Sequence, residues 1–383
     1  MRKILSVLML LAVLGLSGCI DRDALDGGYD DSQIEQNDPM VEQGESEQEE
    51  QSLHIGPREF DVASGEHGYL GVQWLEHMND DLPNRLAFTD RELETAEWLV
   101  ETLLEMGFDE SQVDMQMFNY ADRTSSWWGP ATMMVEWYES MGYYDGLERL
   151  DESQNVILTL PGRSEETIII GAHYDGVGYP GISDNAGGTV LLLENTYRMK
   201  DMDHYYTLQY VFFGAEEVGL IGAFHFVDQM SQEEVDNLVL MINADVIMDG
   251  PELVYAVAYI DEMPAFPMDL LWELPTYAQN ETTAQIEEIA SRLNADNQTE
   301  LIGKPHAITL PSDQVAFVQF GIPVMVFYST HPVEYPEVFE GDVLHTANDS
   351  LDFLLENHPG RVERALSEFG LFLEEVVSHE FVQ

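Results

Sequence analysis

The sequence predicts an α/β fold, with a mainly parallel, mixed central sheet flanked by helices on both faces. Two observations lead there. Apolar runs of strand length, Ile168–Ile170, Tyr206–Phe213, Leu238–Ala244 and Pro323–Tyr328, alternate with segments of helical period, the pattern of strands joined by helical crossovers. Three of these runs are followed at once by a His or by acids: His173 and Asp175, then Glu216 and Glu217, then Asp245. The carboxyl ends of parallel strands lie side by side on one rim, which is where an open α/β sheet binds its ligands.

Each element has a local reason. Thr89-Asp90-Arg91-Glu92 reads as a capping box. It opens a helix with Leu93, Ala96, Val100, Leu103 and Leu104 on one face, and Gly107 stops it. Val113–Phe118 and Asn155–Leu160 read as strands. The run Ile168–Ile170 is β-branched and apolar, a buried strand ending at Gly171. His173 and Asp175 follow at period two, on one side of an extended chain. After a Gly/Pro-rich loop, Asp184 and Asn185 precede the helical run Ala186–Leu193. Further helices are expected from Leu220 to Met230, near Thr283–Leu293, and from Gly360 to Val377. Residues 121–150 are rich in Trp and Tyr without a period, and residues 251–311 read as irregular apart from their helix. Both are expected as insertions in a single domain spanning 57–383.

The charge narrows the partners. The 383 residues carry 72 acids against 15 bases, a formal net charge of -57, with only three lysines, Lys3, Lys200 and Lys304. Only 12 of those acids fall in residues 1–56, so the surplus belongs to the folded part. Such a surface repels itself in dilute buffer. At about 1 M salt the Debye length falls to roughly 3 Å, so the surface suits high salt. Without a basic footprint, nucleic acid is excluded as a partner.

Cysteine is informative through scarcity. Cys19 is the only one, which excludes an intrachain disulfide and any Cys-based metal site. Met1-Arg2-Lys3, the apolar Ile4–Leu16 and Leu16-Ser17-Gly18-Cys19 together resemble a bacterial lipoprotein signal. The expectation is a signal peptide over 1–18, lipidation of Cys19, a disordered acidic linker over 19–56 and a domain held outside the cytoplasm at a membrane.

The chemistry-bearing residues converge on one rim: His173, Asp175, Asp184, Glu216, Glu217, Asp245 and His345. Imidazole and carboxylate suit zinc, and a catalytic zinc keeps a position open. Carboxylates also hold metal pairs about 3.5–4 Å apart. Two divalent cations set against ionised Asp184, Glu217 and Asp245 plus one hydroxide leave a neutral cluster, as a partly buried site requires. Glu216 is then free to act as a base, and Asp175 can accept the second ring N–H of His173. Asp349 and Ser350 read as helix caps.

These residues carry a family resemblance. HYD at 173–175, SDNAGG at 183–188, FGAEEVGLIGA at 213–223, NADV at 243–246 and HTANDSLD at 345–352 resemble, in order and spacing, the co-catalytic zinc peptidases of family M28. Ser312-Asp313, Phe317 and Gly321-Ile322-Pro323 resemble a late segment of the same family. The resemblance implies two zinc ions. His173, Asp184 and Asp245 would bind one, and Asp184, Glu217 and His345 the other. It implies Glu216 as general base, a cis peptide after Asp184, and peptide substrates with a free N-terminus. Some relatives carry a Tyr before the last His, where it stabilises the oxyanion. Leu344 stands there in this chain, which leaves Tyr328 and Tyr259 as candidates. The same fold also hosts carboxypeptidases, one-zinc glutaminyl cyclases and metal-free binding ectodomains, and a complete ligand set argues for hydrolysis.

Overall fold

A computed structural model describes residues 65–119, 131–260, 277–278, 280–304, 311–332 and 342–382. The expected signal peptide and linker lie outside the described residues. So do residues 121–130 of the aromatic segment and the side chain of Tyr259. Chain contacts separate residues 1–58 from a compact unit over 59–383, and the latter contains every described residue. Among these, no helix is long and apolar enough to cross a membrane.

The strands are β1 (Val113–Asn119), β2 (Glu152–Leu160), β3 (Thr167–His173), β4 (Thr207–Phe213), β5 (Leu238–Ala244), β6 (Glu252–Ile260), β7 (Tyr277–Ala278), β8 (Ile302–Lys304) and β9 (Val324–Thr330). The described strands form one sheet in the order β1-β2-β4-β3-β5-β9-β6-β7, with β8 pairing β6. The central four, β4-β3-β5-β9, run parallel. Strands β1, β2, β6 and β7 join antiparallel, so parallel pairing is confined to the centre and to β6–β8. The centre is where it matters: His173 pairs in register with Phe213, the last residue of β4, and Asp245 follows β5 directly.

The helices are α1 (Tyr69–Asp80), α2 (Asp90–Glu105), α3 (Ala131–Ser140), α4 (Gly187–Met199), α5 (Ile221–Gln229), α6 (Gln232–Asp236), α7 (Glu281–Ala295), α8 (Leu351–Asn357) and α9 (Arg361–Ser378). They cover both faces of the sheet. On one, Ile169, Val211, Met241 and Val326 pack with Phe224, Phe226 and Val227 of α5. On the other, Phe327 of β9 stacks on Phe369 of α9 with ring centroids 5.0 Å apart. Alternate residues of each central strand therefore meet different helices, which is why these strands read as unbroken apolar runs.

Three expectations need correction. Residues 251–311 are not irregular, because β6 lies inside the sheet between β9 and β7. Its run Leu253–Ala258 is ambiguous between helix and strand when read alone, and its partner β9 comes about seventy residues later. Gly171 does not end β3. A Cβ there would lie 2.5 Å from the Phe213 ring and 3.0 Å from the Met241 methyl, so the glycine permits close packing and the strand runs on to His173. The capping box at Thr89 is half formed. Thr89 accepts the Glu92 N–H, but the Glu92 carboxylate turns to the Phe88 N–H at 2.6 Å and is buried.

Candidate metal centre

The strand ends bring the seven predicted residues to one place. His173 closes β3. Its Nε2 lies 3.1 Å from Asp184 Oδ1 and 3.2 Å from Asp245 Oδ1. His345 stands in the loop before α8, with Nε2 3.0 Å from Asp184 Oδ2 and 3.4 Å from Glu217 Oε2. The donor atoms form two trios, His173/Asp184/Asp245 and Asp184/Glu217/His345, each within 4.8 Å. Asp184 gives one carboxylate oxygen to each. The peptide bond after Asp184 is cis.

The tautomer shows what the first trio lacks. His173 Nδ1 lies 3.2 Å from the carbonyl oxygen of Asp175. A carbonyl only accepts, so Nδ1 carries the proton and the Nε2 lone pair faces two carboxylates. That arrangement is repulsive unless a cation or a second proton sits between them. Ligands at tetrahedral positions about 2.0–2.1 Å from a zinc ion stand about 3.3 Å apart, which matches the 3.0–3.4 Å separations. Glu217 Oε1 is also buried without a hydrogen-bond partner among the described residues. Both trios fit a divalent metal.

Titration follows the same charges. Burial opposes the His173 imidazolium, but Asp245 and Glu216 outweigh it and raise the pKa well above the usual value. His345 is raised likewise by Glu217 and Asp184 against burial. Asp184, despite its burial, is lowered by its bonds to both imidazoles. Burial pushes Glu217 up to about 7, with Asp184 adding to it. Glu216 is also raised, first by burial and then by Glu217 and Asp313. Glu216 is half-buried.

Asp175 does more than its predicted role. Its Oδ1 is 3.4 Å from His173 Nδ1. Both carboxylate oxygens also accept peptide N–H groups, Oδ1 from Glu216 at 3.0 Å and Oδ2 from Glu217 at 3.2 Å. One residue thereby orients a metal-facing imidazole and sets the turn that carries both glutamates. The preceding Ala215 N–H donates to Glu92 Oε1 at 3.0 Å, and Ser153 Oγ donates to the same oxygen at 2.7 Å.

Sequence reasoning missed four residues that position this site. Glu92 looked like a capping partner. Asp349 is no cap: it is fully buried and accepts the N–H groups of Ser183 at 2.6 Å and Asp184 at 3.0 Å, while Ser350 alone caps α8. Burial pushes Asp349 up to about 7. Asp249 accepts the Val343 and Leu344 N–H groups. Arg85, also fully buried, donates to the carbonyls of Tyr174, Leu82, Pro180 and Gly181 and so braces the loop between Asp175 and Asp184. No local pattern marks any of them, since each acts through tertiary contact.

Of the candidate phenols, Tyr328 is buried in the apolar cluster with Val254 and Val326. The aromatic segment instead brings Tyr138 and Tyr143 close: each feels the charge of Glu217, and Tyr143 also that of His345. Tyr138 packs with Ala215 and Val218 on either side of the two glutamates, and Tyr143 packs against that cluster. The described part of the segment is therefore a packed excursion beside the site.

Comparison with known proteins agrees with this geometry. The family model described as "Peptidase family M28" matches residues 155–370, more than half of the chain. Aminopeptidase YwaD of Bacillus subtilis is 34% identical over 99 residues, which cover 25% of this chain and 22% of that protein. The chain spans between 20% and 55% of the length of the curated relatives it first matches. Among solved structures, a zinc aminopeptidase from Bacillus subtilis superposes with a TM-score of 0.59 at 18% identity, covering 83% of this chain and 96% of that one. A glutaminyl cyclase from an Acidobacteriales bacterium gives 0.54 at 16% identity, covering 82% and 94%. At these identities the superpositions establish the fold and do not choose between the two chemistries.

Proposed function

Because the chain belongs to peptidase family M28, we propose that it is a two-zinc aminopeptidase that releases N-terminal residues from peptides. The observation that carries this reading is Asp184, which offers one oxygen to each of two complete His/carboxylate trios. A glutaminyl cyclase of the one-zinc kind has no use for the second trio. The relative named an aminopeptidase supports the same choice.

His173, Asp184 and Asp245 would hold one zinc, and Asp184, Glu217 and His345 the other. Bound there, the zinc ions supply Lewis-acid polarisation of the scissile carbonyl and lower the pKa of water. Glu216 takes up a proton from the attacking water and returns it to the leaving amine, and its raised pKa suits that exchange. Asp175 fixes the Glu216 backbone while it does so. The acidic rim suits the α-ammonium group of a substrate.

The test is an assay in molar salt with zinc, on peptides with free and with blocked N-termini. Glu216→Gln is expected to keep two zinc ions and lose about 10²–10⁴-fold in turnover. Undiminished turnover would remove Glu216 as the base. Equal cleavage of blocked peptides would remove the aminopeptidase assignment.

The N-terminal features support a lipid anchor at Cys19 and a site of action outside the cytoplasm, with the acidic linker as the tether. Cys19→Ser is expected to abolish labelling by palmitate and to move the protein from the membrane to the soluble fraction. Labelling that survives the substitution sinks the anchor.

A further inference from the structure

The turn after β5 touches the site twice. Asp245 opens it and belongs to the first trio. Four residues on, Asp249 is fully buried, and three consecutive peptide N–H groups converge on it. Val343 and Leu344 donate to Asp249 Oδ1 at 2.6 and 2.8 Å. Asp342 donates to the carbonyl oxygen of Asp249 at 2.9 Å.

The next residue in the chain is His345, with φ at 52°. A left-handed backbone is disfavoured for a residue bearing a Cβ. It persists only where the surroundings over-determine it. Here they do. Arg361 Nη1 adds bonds to the Asp249 carbonyl at 3.3 Å and to Asp342 Oδ2 at 2.7 Å.

The holding turn is itself fixed. Met248 N–H donates to Ser183 Oγ at 3.1 Å, and Gly250 N–H donates to Ser329 Oγ at 3.0 Å. A Cβ on Gly250 would stand 2.1 Å from the Thr330 backbone, so the turn lies flat against β9.

We propose, on the metallopeptidase reading above, that Asp249 is the positioning residue for His345 and so governs the affinity of one of the two metals. Its reach is selective. The captured N–H groups lead directly into His345, whereas His173 is fixed by Asp175, and Asp184 by Asp349. Only Asp249 Oδ1 is engaged; Oδ2 is buried with no hydrogen-bond partner among the described residues. One acceptor oxygen is therefore enough, and an asparagine retains it.

The experiment is a calorimetric titration of zinc into the metal-free full chain in molar salt, for wild type, Asp249→Ala and Asp249→Asn. Wild type is expected to show two sites. Asp249→Ala should weaken one of them by about 10–100-fold, the usual cost of losing an outer-layer partner of a metal ligand, and leave the other unchanged. Asp249→Asn should restore the weakened site to within a few-fold. If Asp249→Ala does not fold, Asp249→Ser, whose hydroxyl is too short to reach both N–H groups, should show the same one-site loss.

Two unchanged sites in the alanine variant overturn the proposal and leave the metallopeptidase reading standing. Equal weakening of both sites reduces Asp249 to general stability, and an asparagine as damaging as alanine would mean that charge matters and the acceptor does not. Either result overturns the proposal. A wild-type chain that binds no zinc overturns the proposal together with the reading it rests on.

Discussion

Replacing Arg85 by Lys keeps the charge and removes the fork, which separates two explanations for a buried cation beneath a metal site. Arg85 Nε donates to Tyr174 O at 2.7 Å, Nη1 to Pro180 O at 2.6 Å and to Leu82 O at 3.1 Å, and Nη2 to Gly181 O at 3.1 Å. Burial lowers its pKa to about 10, so it remains charged at neutral pH. A lysine ammonium is a compact group with three donors and cannot span carbonyls set around a planar fork. At least one carbonyl, and by geometry two, would be left unpaired. At about 1–2 kcal/mol for each of the two buried carbonyls stranded, the lower part of the usual range, the expected loss is about 2–4 kcal/mol. The assay is urea unfolding of the zinc-loaded protein at fixed molar salt. With an m-value of about 3 kcal/mol/M, the midpoint should fall by about 1 M at constant m. Arg85→Met, which also removes the charge beside Asp349, Asp175 and Asp184, should fall further. A lysine variant within about 0.5 kcal/mol of wild type, next to a collapsed methionine variant, would refute the reasoning. It would show that Arg85 serves as a point charge and that the loop carbonyls do not depend on it.

Two more outcomes can be checked by melting. In the metal-free protein, His173 and His345 are raised above the unfolded value, so their contribution is complete below pH about 6.5 and is lost as pH rises through their folded pKa values. Glu217 and Asp349, each raised to about 7, act in the same direction, because the folded state holds their protons longer than the unfolded one. Metal-free protein should thus lose stability from pH 6 to 9, by up to about 1.4 kcal/mol per pH unit for each proton released, and zinc-loaded protein should not; parallel profiles would refute this. Salt gives the second outcome. With a formal net charge of -57, raising salt from about 0.1 M to molar levels should lift the melting temperature by roughly 5 °C or more, equivalent to about 3 kcal/mol for a domain of this size. A flat series would sink the high-salt reading.

What the sequence made legible was the layer of residues whose identity is dictated by local chemistry. His173, Glu217 and Asp245 stand at or just beyond the ends of apolar strands, where a charge is out of place unless a site explains it, and Asp184 and His345 adjoin them from loops. Strands β3, β4, β5 and β9 were readable for a related reason: strands buried on both faces are apolar throughout. Strand β6 was missed because the short apolar run Leu253–Ala258 reads equally well as helix or strand and its partner β9 is far away in the chain. Asp349 was misread because an Asp next to a Ser directly before a helical run looks like a helix cap. Its burial depends on Ser183 lying opposite, which sequence spacing does not reveal. Glu92 was misread for the converse reason. The capping pattern was present, but a stronger claim on the carboxylate came from Ser153 and Ala215.

The missed residues share a logic that links strain to charge. Ala215, Val246 and His345 all have φ between 52° and 54°, and each is, precedes or follows a predicted site residue. The turn at Ala215 is held by Glu92 and Asp175 and the approach to His345 by Asp249, while the carbonyl of Val246 takes both the N–H and the hydroxyl of Ser329. Asp175 and Asp349 each use two oxygens to capture two successive N–H groups, which an amide side chain with its single acceptor cannot do. Fixing a turn in this way requires a carboxylate, and so places negative charge directly beneath a site that already holds Asp184, Glu217 and Asp245. Among the described residues Arg85 is the only buried Lys or Arg, so the protein supplies little positive charge of its own. The residues that give the centre its geometry therefore also deepen its demand for cations: the buried acids that hold the turns are the same ones that call for metal.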